Sequence, residues 1–281
     1  MDTFSDQTQW QEVTNSKPAS SETTSNGLRY RIEGTGAAEV VLIHELGGGL
    51  ASWDGVAAEL ERSVRLVRYD QRGQGKSQVT QSAFTVADQA EDLRALLHDI
   101  GFAKPVWLVA AAAGASIAVA FATKCAARVK GIVFCGPALD VDPARRGYLI
   151  ERAQLARQQG MEAIVEMTLA NSWPSALRQD ADVFNAYRRR FVGQNAEGYA
   201  FASEALSGIE LSAALEALAC PCLFLAGEQD LQRPPQRVAT HARSARNASF
   251  AVVPLAGHLM AVQRPRDVAA RIASFIAEND R

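Results

Sequence analysis

Short runs of consecutive apolar residues alternate with longer amphipathic stretches along most of the chain. Residues 40–43 and 105–110 are examples of the runs, and residues 85–100 carry apolar positions at the spacing of one helix face. An uninterrupted apolar run of this length is typical of a strand buried on both faces of a parallel sheet. Seven strands are predicted, at residues 28–33, 40–43, 64–69, 105–110, 129–135, 221–226 and 250–254. Such strands, alternating with helices over short connections, predict a mostly parallel, doubly wound α/β sheet.

The segment between the fifth and sixth of these strands departs from the alternation. Residues 140–208 show helical periodicity only, with helices predicted at residues 143–159, 161–171, 180–191 and 197–206. We therefore predict a helical cap at 140–208, inserted between two parts of one core domain at 28–139 and 209–281. Residues 1–27 are polar and lack an apolar period, and they are predicted to form a disordered tail.

Length and charge exclude several classes of function. The chain has 281 residues, a formal net charge of -2 and a sequence pI of about 6.1. This balance disfavours a nucleic acid or an anionic membrane as partner. No apolar run approaches the roughly 18 residues of a membrane span, and the first residues have no hydrophobic signal core. We expect a cytoplasmic protein that binds a small molecule, with its oligomeric state left open.

The cysteine and glycine patterns indicate neither a metal nor another cofactor. Cys220 and Cys222 have no second pair that would complete a zinc site. The three glycines at residues 47–49 lack the Gly-Lys-Ser/Thr ending of a phosphate-binding loop. We therefore expect the protein to act through its own side chains and backbone, without a metal or another cofactor.

Four segments carry a family resemblance. They are Ile-His-Glu-Leu-Gly-Gly at residues 43–48, Arg-Tyr-Asp-Gln-Arg-Gly-Gln-Gly-Lys-Ser at 68–77, the strand-to-helix turn around Ala112, and Gly-Glu-Gln-Asp at 227–230 with Gly257-His258 downstream. Residues 160–163 and 195–199 of the cap add to them. From residue 28 onward the chain resembles the α/β-hydrolase superfamily, and within it the 3-oxoadipate enol-lactonase-like branch. The resemblance implies the α/β-hydrolase fold.

That resemblance also implies an acid and a base. Asp230 stands just after a predicted strand, where the family has its orienting acid, and His258 stands just after the next strand, where the family has its catalytic histidine. A histidine oriented by a carboxylate can take a proton from a nucleophile and later return it. The two residues could instead be an ordinary turn aspartate and a loop histidine.

Alanine occupies the nucleophile position of the elbow. The family places a serine between strand and helix, and the residue in register here is Ala112. A shift to Ser116 would lengthen the strand end by four residues and shorten the helix by a turn. We expect Ser116 to lie inside the helix, packed or bonded back to a carbonyl.

The remaining predicted site groups surround this elbow. The backbone N–H groups of Leu46 and Ala113 match the family's oxyanion hole. Glu45 stands where a glycine is usual, and it either faces solvent or an arginine, or contacts substrate in the pocket. Trp173 resembles a cap tryptophan of the branch and is a second possible substrate contact. One or two of the many cap arginines could bind a substrate carboxylate, without an indication of which.

A missing nucleophile has three explanations. In the first, the protein is a natural enzyme in which His258, oriented by Asp230, activates water or takes a proton from the substrate. In the second, it is a ligand-binding homologue without catalysis. In the third, it is a serine hydrolase whose nucleophile was replaced to trap a substrate. For the first, we expect action on a small carboxylated ester, lactone or enol-lactone-like compound. The superfamily also includes lyases and cofactor-free oxygenases that use histidine as base, which leaves that chemistry open.

Overall fold

An eight-stranded, mostly parallel sheet forms the centre of the protein. The computed structural model describes residues 21–280, and a helix long and apolar enough to cross a membrane is not found in that range. The strand order is β1-β2-β4-β3-β5-β6-β7-β8, in which the β1–β2 and β2–β4 pairs are antiparallel and the other pairs are parallel. The strands are β1 Glu22–Thr23, β2 Arg29–Glu33, β3 Glu39–Ile43, β4 Arg65–Tyr69, β5 Val106–Ala111, β6 Val129–Cys135, β7 Cys222–Gly227 and β8 Ala248–Val253.

Helices cover both faces of this sheet and form a separate layer above one edge. Two apolar clusters, one on each face, enclose the central strands, whose residues are almost fully buried. The helices are α1 Asp54–Leu60, α2 Val86–Asp99, α3 Gly114–Lys124, α4 Pro143–Gln159, α5 Glu162–Ser172, α6 Ala181–Val192, α7 Ala196–Ser207, α8 Ser212–Ala217, α9 Pro235–Ser244, α10 Met260–Gln263 and α11 Pro265–Asn279. The predicted doubly wound α/β-hydrolase fold is therefore confirmed.

Helices α4 to α7 lie between β6 and β7 and form the cap. Their own apolar cluster includes Tyr187, Phe191 and Tyr199. The cap approaches the core closely at Gly198, where an added Cβ would lie 1.9 Å from the Gly73 carbonyl oxygen. A side chain at this position would push α7 away from the core loop, so glycine is required by the contact itself.

The predicted tail differs from the structure at its end. Residues 1–20 lie outside the described residues, but Glu22 and Thr23 pair with Arg29 and Tyr30 as the outer strand of the sheet. A disordered tail reaching residue 27 is therefore wrong. Both residues of β1 are exposed, so no apolar alternation could have indicated a strand here.

The ends of the parallel strands determine where a site can form. The loops that follow β3, β5, β7 and β8 leave the same edge of the sheet, beneath the cap. In open α/β sheets ligands bind at this carboxyl edge of the strands. Residues far apart in sequence are thereby brought to one cavity.

Candidate active site

Asp230 and His258 form a hydrogen-bonded pair at the carboxyl ends of β7 and β8. The distance between His258 Nδ1 and Asp230 Oδ2 is 2.8 Å. The other carboxylate oxygen, Oδ1, accepts the backbone N–H groups of Gln232 at 2.8 Å and Arg233 at 2.9 Å. Because the buried Asp230 accepts on both oxygens, the shared proton belongs on His258 Nδ1. His258 Nε2 is then left with the lone pair of a base.

The loop around this pair leaves no room for a further side chain. Gly136 has φ +57, and a Cβ built on it would lie 3.1 Å from Asp230 Oδ2 and 3.3 Å from His258 Nδ1. Both the left-handed backbone and the close approach favour glycine. The predicted acid and base are thus together, with Gly136 packed beneath their hydrogen bond.

Ala112 occupies a strained elbow between β5 and α3. Its φ is +46, a left-handed value that costs an L-residue roughly 1–2 kcal/mol. Its N–H donates to the Cys135 carbonyl at 2.9 Å, and its own carbonyl accepts from Ala138 N at 3.0 Å. These bonds hold the backbone in the conformation that a nucleophile elbow requires, although the side chain is a methyl group.

Ser116 lies inside helix α3, away from the cavity. The side chain is almost fully buried, and Oγ donates to the Ala113 carbonyl at 2.6 Å. The prediction that Ser116 is bonded back to a helix carbonyl is confirmed. This hydroxyl is occupied within its own turn and does not face His258.

Leu46 and Ala113 present two backbone N–H groups at the same cavity. Ala113 directly follows the elbow, and Leu46 lies in the loop after β3. Within residues 21–280 neither N–H donates a hydrogen bond. Both N–H groups are therefore available to a ligand, which is one requirement of an oxyanion hole.

Glu45 faces the cavity rather than solvent and forms no ion pair with any residue from 21 to 280. Its Oε1 accepts the Ser52 hydroxyl at 2.7 Å and the Tyr187 hydroxyl at 2.9 Å. Burial, together with the neighbouring carboxylate, holds the pKa of Tyr187 well above its usual value. Tyr187 therefore keeps its proton and donates a hydrogen bond to Glu45, which links cap helix α6 to the loop after β3, residues 44–49 (the oxyanion loop).

A second link joins the cap to this loop. Gln194, just after α6, donates from Nε2 to the Gly48 carbonyl at 3.0 Å. Its Oε1 accepts the N–H of Gly75 at 2.7 Å. One cap side chain thus bridges the oxyanion loop and the loop after β4.

Trp173 does not line the cavity, which corrects its prediction as a substrate contact. The indole is buried inside the cap, edge-on to Phe184 at 5.4 Å between centroids, and Nε1 donates to the Leu177 carbonyl at 2.9 Å. Its neighbour Ser172 is the residue that reaches the cavity. An aromatic residue packed in a cap and one lining a pocket have the same sequence signature.

The cavity beneath the cap has a volume of about 50 Å³ and a strongly basic wall. Arg145 and Arg152 contribute from α4, and Arg233 contributes from the loop after Asp230. The sequence indicated cap arginines in general, but it gave no sign of Arg233. The lining residues that sequence reasoning missed also include Thr168, Ser172, Tyr187 and Gln232.

Burial changes the proton affinity of two of these arginines. The pKa of Arg145 is lowered by burial and by the neighbouring Arg152. Burial, with Arg145 and Arg237 nearby, lowers the pKa of Arg233 to about 10. No group of three His, Cys, Asp or Glu side chains between residues 21 and 280 is arranged to hold a metal ion.

Comparison with known proteins identifies the family of this chain. The profile of the alpha/beta hydrolase family matches residues 40–271. The 3-oxoadipate enol-lactonase 2 of Acinetobacter baylyi is 24% identical over 196 residues, which cover 68% of this chain and 71% of that protein. A putative carbamate hydrolase, RutD, of a Caulobacter species is 26% identical over 267 residues, which cover 90% of this chain and 97% of the relative.

Solved structures agree with these sequence relatives. The enol-lactonase from Burkholderia xenovorans LB400 superposes with a TM-score of 0.84 at 26% identity, covering 89% of this chain and 96% of that one. A thermophilic esterase from Thermogutta terrifontis, solved with malate bound, gives a TM-score of 0.86 at 28% identity, covering 92% and 98%. The predicted resemblance to the enol-lactonase-like branch is thereby confirmed, and the chain belongs to the alpha/beta hydrolase family.

Proposed function

We propose that this protein is a hydrolase-like enzyme acting on a small carboxylated ester, lactone or enol-lactone-like substrate without a serine nucleophile. The observation that carries the proposal is the 2.8 Å bond between His258 and Asp230 at the cavity that Leu46 and Ala113 also line. A protein that only binds a ligand has no need of an oriented base beside two N–H groups that donate no hydrogen bond within residues 21–280. The names of the relatives, an enol-lactonase and a carbamate hydrolase, support an acyl substrate.

Water is the nucleophile in this mechanism. Nε2 of His258 takes a proton from a water molecule as its oxygen bonds to the substrate carbonyl carbon. The carbonyl electron pair moves to oxygen, and the N–H groups of Leu46 and Ala113 stabilise that charge. On collapse the acyl C–O bond breaks, and His258 returns the proton to the leaving alkoxide or enolate. Asp230 stays ionised and stabilises the imidazolium.

Ala112 excludes the usual covalent route. A methyl group cannot form an acyl-enzyme, and Ser116 is committed to the Ala113 carbonyl at 2.6 Å. Loss of the serine costs about 10⁶ in turnover in a serine protease of another fold, yet a residual catalysis of roughly 10³–10⁴ over water remains from binding and the oxyanion hole. A slow enzyme that uses water directly is consistent with these magnitudes.

Proton abstraction from carbon is the second candidate. The same Nε2 could remove a proton α to a carbonyl, with the enolate held by Leu46 and Ala113, as in a lyase or a cofactor-free oxygenase. The buried Glu45 at the cavity favours this candidate, because its carboxylate could contact a substrate donor.

A substrate screen with a matched histidine variant tests the proposal. Carboxylated esters and lactones are incubated with the wild type, with His258→Ala and with His98→Ala, whose imidazole is exposed. The expected result is turnover by the wild type and by His98→Ala, and a fall of at least 100-fold in His258→Ala. Equal residual activity in all three proteins would contradict a catalytic role for His258. Exchange of substrate C–H protons with solvent deuterium, without hydrolysis, would identify the second candidate instead.

A further inference from the structure

Three arginine side chains, two of them buried and one half-buried, line the cavity without a carboxylate partner. Arg145 and Arg152 are seven residues apart on α4 and therefore share one face of the helix. Arg233 comes from the core, three residues after Asp230. Only 5% of Arg152 and 4% of Arg233 is exposed to solvent. Two elements of the fold thus direct positive charge to one place.

Each of these guanidinium groups has at most weak or neutral partners among residues 21–280. Arg145 donates to the Gln232 side-chain oxygen, Arg152 to the Thr168 hydroxyl at 3.4 Å, and Arg233 to the Asp140 carbonyl at 3.2 Å. The Nε of Arg152 is buried without a partner. None of the three forms an ion pair within the described part of the chain.

Two other arginines of the same cap are paired. Arg157, one turn beyond Arg152 on α4, binds the carboxylates of Glu197 and Glu204, and Arg188 binds two glutamates of α5. The cap thus supplies acidic partners to these two arginines but none to Arg145 and Arg152.

The two carboxylates near the cavity are already engaged. Asp230 accepts from His258 and from two backbone N–H groups, and Glu45 accepts two hydroxyls. Neither carboxylate contacts a guanidinium group. Burying unpaired charge is costly, and the lowered pKa values of Arg145 and Arg233 reflect burial and mutual repulsion. An anionic ligand would remove this cost.

We propose that the cavity binds a small dicarboxylate, with Arg145, Arg152 and Arg233 holding its two carboxylate groups. A guanidinium fork matches a carboxylate in bidentate geometry, and three forks exceed what one carboxylate can accept. This inference rests on the proposed function, because it assigns two carboxylates to the substrate or product of that site.

Calorimetric titration with matched pairs of acids tests the dicarboxylate. Succinate, glutarate and adipate are compared with butyrate, pentanoate and hexanoate, which have the same chain lengths and one carboxylate fewer. We expect at least one dicarboxylate to bind about 10- to 100-fold more tightly than its monocarboxylate, the contribution of one additional charged bidentate pair. Inorganic phosphate is the third ligand, as a compact dianion.

Matched variants locate the binding. Arg152→Gln and Arg145→Gln are each expected to weaken the dicarboxylate by 10- to 100-fold, whereas Arg146→Gln, at an exposed position on the same helix, leaves it unchanged. Thermal unfolding without ligand separates binding from folding. Because Arg152 has no internal ion pair, its loss is expected to leave Tm unchanged or higher, whereas a purely structural arginine would lower it.

Several results would overturn the inference. They are equal affinity for paired mono- and dicarboxylates, binding of phosphate alone, no binding by any probe, or an equal loss in Arg146→Gln. The proposed function can fail separately. Binding of a dicarboxylate by the wild type without turnover of any ester would reject hydrolysis and keep the dicarboxylate site.

Discussion

Ala112→Ser would place a hydroxyl at an elbow that is otherwise complete. The backbone already holds φ +46 with a Cβ in place, so serine adds only one oxygen atom and no new backbone strain. His258 and Asp230 are bonded at 2.8 Å, and the N–H groups of Leu46 and Ala113 are undonated within residues 21–280. We expect the variant to fold as the wild type does and to acquire a nucleophile.

The expected gain in turnover is the contribution of the serine less the opposing effect of the Glu45 charge. A serine in a fully evolved triad contributes about 10⁶ in turnover, which corresponds to about 8 kcal/mol. The charge of Glu45, next to the oxyanion loop, opposes an anionic intermediate by roughly 1–4 kcal/mol. The net expectation is a gain of about 10³-fold or more in the hydrolysis of a simple ester.

Hydrolysis of p-nitrophenyl acetate and labelling by a fluorophosphonate provide the assay. Ala112→Ser should show a burst of nitrophenol and a mass increase of one phosphonyl group, and adding His258→Ala should remove both. Ala113→Ser controls for a hydroxyl one residue away from the elbow. If well-folded Ala112→Ser gained less than tenfold in ester hydrolysis and took up no label, the assignment of this elbow and dyad as a site of the serine-hydrolase type would be refuted.

Three further predictions concern strain, charge and pH. Ala112→Gly is expected to raise the free energy of unfolding by about 0.5–1 kcal/mol, because glycine adopts φ +46 without steric cost. Glu45→Gln in the Ala112→Ser background should speed ester hydrolysis by about tenfold, because it removes a negative charge beside the oxyanion. Burial lowers the pKa of His241 below 6.5, so the unfolded chain binds that proton first as the pH falls. Stability therefore declines below about pH 6.5, and His241→Gln should flatten the decline.

Each of these has a control in the chain. Ala113, the residue after the elbow, has φ -60, so Ala113→Gly should destabilise rather than stabilise. Tyr187→Phe removes a hydrogen bond to Glu45 but keeps its charge, and it should not reproduce the rate increase of Glu45→Gln. The exposed His98, replaced by glutamine, should leave the acid side of the stability curve unchanged. Denaturant melts across pH 5–8 measure the last effect, and identical curves for His241→Gln and the wild type would contradict it.

Local spacing predicted the core of the candidate site. Asp230 and His258 each follow a strand within a few residues, and a parallel sheet brings such residues to one edge whatever their separation in sequence. The elbow at Ala112 was predictable for a related reason. Strand β5 and helix α3 leave only a short turn between them, which fixes the register and places Ser116 inside the helix.

The cap could be predicted only as a set of helices. Arg145 and Arg152 lie on one face of α4, but which face points at the cavity depends on how α4 packs against α7, where Ser203 donates to the Leu149 carbonyl at 3.0 Å. Trp173 was misassigned because burial in a cap and contact with a ligand require the same aromatic side chain. Such orientations arise from packing between distant segments, which a single sequence does not encode locally.

Tyr187 and Gln194 connect the cap to the oxyanion loop through hydrogen bonds. Their hydrogen bonds to Glu45, Gly48 and Gly75 have to break before the α6 side of the cap can lift. The amide hydrogen of Gly75 is therefore a reporter of that opening, because its exchange with solvent deuterium requires release of Gln194. Its protection against exchange gives the free energy of that opening.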